Sequence, residues 1–232
     1  MIAIKNLSKH LMAGGVRVNI LNQINLHIPR GQFTAITGAS GSGKTTLLGL
    51  IAGLDAPSQG EILIDGQDIT KFDEDALADL RGQRFGFIFQ SFNLIPTLTA
   101  IENVVLAAEL NQTAKAAQKS RDLLEAVGLG KRTGHYPAQL SGGEQQRLAL
   151  ARAFVNEPDI ILADEPTGNL DSKNGERILE LIFEMHRTQH TTIVMVTHES
   201  HIAEKTERIL RMADGHIVED TLTSNTASQN TE

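Results

Sequence analysis

Residues 38–46 read Gly38-Ala39-Ser40-Gly41-Ser42-Gly43-Lys44-Thr45-Thr46. This is the pattern G-x-x-x-x-G-K-[ST], whose chemistry is the cradling of a nucleoside triphosphate. Glycines let the backbone close around phosphate oxygens, so that successive N–H groups point inward as donors. Lys44 supplies a point charge for the β- and γ-phosphates, and the Thr45 hydroxyl is placed to hold Mg²⁺. A helix starting near Gly43 adds its positive end to the same anion. The apolar run Phe33–Ile36 just before the loop reads as the strand that presents it.

A second group of residues supplies what hydrolysis needs. Ile160–Glu165 is an apolar run ending in two acids, which suits a buried parallel strand whose carboxyl end carries a site. Asp164 would join the Mg²⁺ shell through water, and Glu165 would act as general base on the attacking water. His198 follows the strand signal Ile193–Val196 and could donate a hydrogen bond to the γ-phosphate; a surface or capping role is the plainer reading of a lone histidine. Gln90 closes the apolar segment Phe85–Phe89, and its amide can touch metal and water without adding charge. Leu140-Ser141-Gly142-Gly143-Glu144 starts another helix, since Ser141 with Glu144 forms a capping box. Gly142 and Gly143 leave N–H groups bare in its first turn, a second anion site. One chain thus carries two phosphate-binding helix starts and a single acid pair. A sandwich dimer explains this, each nucleotide lying between the phosphate loop of one copy and the Ser141 helix of the other.

The elements that must position these groups divide the chain. Strands are expected at Ile2–Lys5, Ile20–Ile28 and Glu61–Ile64, with a hairpin at Asp65-Gly66. Met12–Asn19 reads as a polar, glycine-containing insertion between the first two strands. Thr46–Ala52 continues as a helix that stops at Gly53. Val104–Leu110 and Lys115–Val127 read as helices, and residues 93–157 form a helical subdomain inserted into an α/β core. A helix near Lys173–Arg187, a strand at Thr191–Thr197 and a strand pair around Asp214-Gly215 complete a nucleotide-binding domain over residues 1–220. Residues 221–232 are rich in Thr, Ser, Asn and Gln and read as a disordered tail.

Composition narrows the partners. The 232 residues carry a net charge of −7 and no cysteine, which argues against nucleic acid as a partner, against direct adhesion to anionic lipid, and against any disulfide or thiolate-metal framework. The first residues lack the layout of a signal peptide, and no apolar run approaches the ~20 residues of a membrane span. The chain is expected in the cytoplasm, with another protein holding it to any membrane it serves.

Taken together, the phosphate loop, Gln90, Leu140–Glu144, Ile160–Glu165, Asn169-Leu170-Asp171 and His198, in that order over about residues 1–218, resemble the nucleotide-binding subunits of ATP-binding-cassette (ABC) systems. Gln90-Ser91-Phe92-Asn93-Leu94-Ile95-Pro96-Thr97-Leu98 and Leu162–Asp171 are similar to the group containing LolD, FtsE and the MacB nucleotide-binding domain, nearest to its YbbA-like members. The resemblance implies a P-loop ABC ATPase core with an N-terminal antiparallel β subdomain and an inserted helical subdomain. It also implies ATP and Mg²⁺ as cofactors, Asp171 joining the two sites of a homodimer, and a separate inner-membrane permease beside which the subunit sits on the cytoplasmic face. A periplasmic partner would act through that permease, in export, lipid or lipoprotein handling, or mechanotransmission. Phe92, Leu94, Ile95 and Leu98 are either subdomain core or a groove for a cytoplasmic helix of the permease. One departure stands out. Members usually stack adenine on an aromatic residue before the second strand, whereas Leu11 occupies that place after His10. Weaker adenine selection is expected, with His10 as the alternative stacking group.

Overall fold

The computed structural model describes residues 1–224. Strands β1 (Ile2–Ala13), β2 (Val16–Ile28) and β3 (Phe33–Thr37) come first. Helix α1 (Lys44–Ile51), strands β4 (Gln59–Ile64) and β5 (Gln67–Asp68) and helix α2 (Glu74–Arg84) follow. The middle carries β6 (Phe85–Phe89), α3 (Ala100–Leu110), α4 (Ala116–Ala126), α5 (Gly142–Phe154), β7 (Ile160–Asp164) and α6 (Ser172–Gln189). The chain closes with β8 (Thr192–Val196), α7 (Ser200–Ala203), β9 (Arg208–Ala213) and β10 (His216–Leu222). It divides into two compact units, Met1–Arg81 with the chain from Thr192 onward, and Gly82–Thr191. Among the described residues no helix is long and apolar enough to cross a membrane.

The first unit holds an antiparallel sheet in the order β2-β1-β4-β5. Its hairpin at Asp65-Gly66 forms as expected: both residues take positive φ (48° and 83°), the geometry of a two-residue turn whose twist matches the strands. The reading of Met12–Asn19 as an insertion is corrected. β1 runs to Ala13, β2 restarts at Val16, and Leu11 pairs with Val18. Gly14 and Gly15, at φ 56° and 81°, turn the chain within two residues, and the strand pairing passes straight through the polar stretch. In the same unit β10, β9, β3 and β8 lie side by side in that order, β3 parallel to both neighbours and β9 antiparallel to β10. Phe33, Ala35 and Ile36 of β3 and every residue of β8 are buried, which is why both read as short continuous apolar runs.

The second unit contains the helical stretch. α3 opens with a capping box between Thr99 and Glu102, α5 with one between Ser141 and Glu144, and α6 with Asp171 accepting from the Asn174 N–H. Each cap satisfies N–H groups that a helix start leaves without partners. Leu148, Leu150 and Phe154 of α5, Ile178 and Ile182 of α6 and Ile160–Ala163 of β7 form its buried core. β6 and β7 pair in parallel, Phe89 opposite Asp164. Of the polar tail expected at 221–232, Thr221 and Leu222 belong to β10, and residues 225–232 lie outside the described residues.

Candidate nucleotide site

In the first unit, β3 delivers the chain into the loop Gly38–Gly43, and α1 begins at Lys44. Gly38 (φ 141°), Gly41 (80°) and Gly43 (98°) lie in backbone regions that side chains avoid. Space forbids a side chain too. A Cβ on Gly38 would sit 2.2 Å from the Met212 carbonyl oxygen, and one on Gly43 would sit 2.7 Å from Leu21 Cδ2. Ala39, Ser40 and Gly41 form the exposed crown of the loop, while Ser42, Gly43 and Lys44 are buried beneath it. Lys44 Nζ donates to the carbonyls of Gly38 (2.9 Å) and Ala39 (2.8 Å), which holds its charge inside the bend. No side chain caps the start of α1. The buried Ser42 Oγ lacks a hydrogen-bond partner among the described residues. An uncapped helix start and a buried hydroxyl beside a buried ammonium fit a polyphosphate.

The neighbouring strand places His198. Val196 pairs with Ile36, and the Thr197 N–H donates to the Ile36 carbonyl at 3.1 Å. His198 therefore leaves the sheet beside the residues that enter the phosphate loop, and it is exposed. Thr45 is exposed and Thr46 half-buried at the start of α1. Leu11 lies on the β1–β2 ribbon, 52% exposed, with Val18 opposite and His10 opposite Asn19.

In the second unit the parallel register of β6 and β7 sets Asp164 opposite Phe89, so Gln90 and Glu165 follow side by side at the carboxyl ends. Their side chains converge. A Cβ built on Gly168 would lie 2.8 Å from Gln90 Nε2 and 3.3 Å from Glu165 Oε2. Asn169 Nδ2 donates to the Gln90 carbonyl at 2.9 Å, and Gln90 Nε2 donates to Asn169 Oδ1 at 3.4 Å. Asn169 thus helps to fix the Gln90 turn, a role that its place in the Asn169-Leu170-Asp171 phrase does not reveal. Within this unit, Asp164 and Gln90 carry carboxylate and amide oxygens, donors of the kind a hard divalent cation takes.

The α5 start also lies in this unit. Glu144 accepts from the Ser141 N–H and hydroxyl, both at 2.9 Å, and these bonds hold its carboxyl below the usual range. Gly142 is exposed, and among the described residues neither Gly142 nor Gly143 gives its N–H to a partner. A Cβ on Gly143 would approach Asn174 Oδ1 to 2.9 Å, so α5 begins in close contact with the first turn of α6. The Asp171 carboxylate is taken up by Asn174, from its N–H (3.0 Å) and its Nδ2 (2.6 Å), which lowers its pKa. Of the four apolar residues after Gln90, none is fully buried; Ile95 is 39% exposed.

The ABC transporter family model matches residues 21–168, from β2 through the acid pair to Gly168. The chain belongs to the ABC transporter family. The ABC subunit is 48% identical over 221 residues to the uncharacterized ABC transporter ATP-binding protein YbbA of Escherichia coli (strain K12), covering 94% of this chain and 97% of the relative. It is 48% identical to the macrolide export ATP-binding/permease protein MacB of Brucella abortus (strain 2308), covering 95% of this chain but 34% of that longer protein. Among solved structures, the dimeric ATP-binding cassette MJ0796 in a post-hydrolysis state bound to ADP and Pi superposes with a TM-score of 0.89 at 40% identity, covering 96% of this chain and 98% of that one. The ABC subunit has the fold of that cassette, and it is an ABC-type ATPase that serves as the ATP-binding component of a transporter complex.

Proposed function

We propose that the ABC subunit hydrolyses ATP within a homodimer, and that closure of the dimer drives a separate permease in the inner membrane from its cytoplasmic face. Lys44 and the N–H groups of residues 39–46 would hold the phosphates. Thr45, Asp164 and Gln90 would hold Mg²⁺, which supplies charge neutralisation when bound. Glu165 would take a proton from the attacking water, and His198 would donate to the γ-phosphate. Ser141, Gly142, Gly143 and Glu144 of the second copy would close over the phosphates, with Asp171 at the seam between the two sites. A periplasmic partner would be reached through the permease.

The observation that carries this reading is the convergence of the Gln90 amide and the Glu165 carboxylate on Gly168 at adjacent strand ends. A candidate base beside a candidate metal ligand is the minimum set for aiming a water. Glu165→Gln preserves shape and removes the base. The variant should bind ATP normally, lose about a thousandfold or more in turnover, and accumulate as a closed dimer. Tagged Glu165→Gln protein, purified with ATP and Mg²⁺ from detergent-solubilised membranes, should bring down a polytopic membrane protein. Near-normal turnover in this variant would refute the base assignment. A closed dimer that recovers only ribosomal or DNA-bound proteins would refute the permease.

A further inference from the structure

Two side chains of α5 that the ATPase chemistry leaves without a role reach into the loops that carry its reacting groups. Gln146 is fully buried, and its Nε2 donates at 2.6 Å to the carbonyl of Pro166, the residue after Glu165. Arg152, further along the helix, uses its guanidinium as a fork. Nη2 donates to the Phe92 carbonyl at 2.9 Å and Nη1 donates to the Asn93 carbonyl, just beyond Gln90. Arg152 makes no ion pair among the described residues, and burial pulls its pKa down. Its two bonded partners are the backbone carbonyls of this turn.

The turns these residues hold share one property. Glu165 (φ 45°), Phe92 (60°) and Asn93 (49°) are left-handed and none is glycine. Such residues lie uphill of the right-handed form, and they persist where surroundings over-determine them. Pro166 further restricts the backbone of Glu165. The Gln90 turn meets α5 a second time at its start, where a Cβ on Gly142 would lie 3.9 Å from Phe92 Cζ. The helix that opens at Ser141 therefore touches both strained turns.

We propose that Gln146 and Arg152 are positioning residues that hold the left-handed turns aiming Glu165 and Gln90, and so tie both groups to the helix that begins at Ser141. Any shift of α5 is then delivered to the water-activating carboxylate and to the Gln90 amide together. A guanidinium suits this task because one rigid plane spans two successive carbonyls; an ammonium answers one at a time. The inference rests on the reading that Glu165 and Gln90 serve hydrolysis.

Glycine supplies the test, because it takes left-handed backbone without help. In the full-length protein, Arg152→Met should lower kcat on the order of tenfold to a hundredfold. Fluorescent-ATP affinity should stay within about threefold of wild type, since the phosphate loop lies in the other unit. Asn93→Gly alone should leave kcat within about twofold. Added to Arg152→Met, Asn93→Gly should raise kcat about fivefold or more, because the turn no longer needs the guanidinium. Gln146→Met should also lower kcat, and Asn93→Gly should not restore it. Wild-type turnover in Arg152→Met overturns the proposal. So does absence of glycine rescue, or equal rescue of both variants, either of which marks Arg152 as packing alone. If Arg152→Met fails to fold, Arg152→Lys, which keeps one donor, passes through the same cycle under the same criteria. A wild-type protein without ATPase activity would count against the reading of the site and not against the clamp.

Discussion

Two helices of this protein begin at anion-binding sequences, and they begin differently. α1 starts from Gly43 in left-handed backbone, with no side-chain cap, no acid in its first turn and a buried lysine folded under the loop. α5 starts from Ser141 in extended backbone, sealed by a capping box, with Glu144 in its first turn. The first start leaves its donors and its dipole for a ligand. The second has already spent part of both on its own carboxylate, which the Ser141 bonds keep ionised. A site built like α1 can grip a polyanion unaided. A site built like α5 offers the N–H groups of Gly142 and Gly143 next to a fixed negative charge, so it would grip weakly and release readily. In the proposed dimer, a strong jaw and a weak jaw would let the two copies close on the nucleotide and part again.

The contrast can be broken most severely at Gly38. Gly38→Ala would push a Cβ into the Met212 carbonyl, 2.2 Å away, and strain the backbone at φ 141°. Loss of at least ~100-fold in ATP affinity and about 2–4 kcal/mol of stability is expected. Calorimetric titration and denaturant melts would measure both, and wild-type affinity would contradict the cradle. At the weak jaw, Ser141→Ala should cost about 1 kcal/mol of stability and roughly tenfold in turnover. ATP affinity of the monomer should hold within about twofold, read by equilibrium binding below the dimerisation concentration. Equal damage to monomer binding would mean that the two helix starts serve one nucleotide within a single copy.

The strong jaw can also be sharpened. With Leu11 in place of an aromatic, ATP and GTP should turn over within about tenfold of each other, and Leu11→Tyr should favour ATP by roughly 1–3 kcal/mol. A strong native preference for ATP would show that another group reads the base. The smallest expected effect concerns acid. The folded pKa of Glu144 lies below its ordinary 4.5, so its contribution to stability is complete above that value and is lost as pH falls through the lowered one. Glu144→Gln should flatten the stability profile below about pH 4.5 by no more than about 1 kcal/mol, measured by urea melts. An unchanged slope would show that Glu144 does not cap α5 in solution.

What could be read in the sequence was local. The phosphate loop, the Ser141 cap, the acid-ending strand and the Asp65-Gly66 hairpin are each written within a few residues, and each forms. The β1–β2 ribbon was missed because Gly14-Gly15 looked like an interruption when it is the tightest way to join two strands. α2 is hard to read because none of its residues is fully buried and its apolar face is short, Ala76, Leu77 and Leu80 alone. The hold of Asn169 on Gln90, and those of Gln146 and Arg152, join residues remote in sequence through backbone carbonyls. Carbonyls are present at every residue, so a sequence carries no mark of which will be used.

The order in which the phosphate loop acquires its walls has a consequence for synthesis. β3 is flanked by β8 and β9, with Phe33 opposite Ile193 and Thr34 opposite Arg208. The backbone of Met212 seals the cradle against Gly38. Translation delivers the loop early and its supports late, and pairings so distant along the chain must wait for both partners. A nascent chain stopped short of β9 would expose β3 on one edge with no strand to cover it, an invitation to mispairing. Nucleotide capture should therefore begin abruptly once the chain has passed Met212, and ribosome-bound chains halted on either side of that residue would bracket the moment.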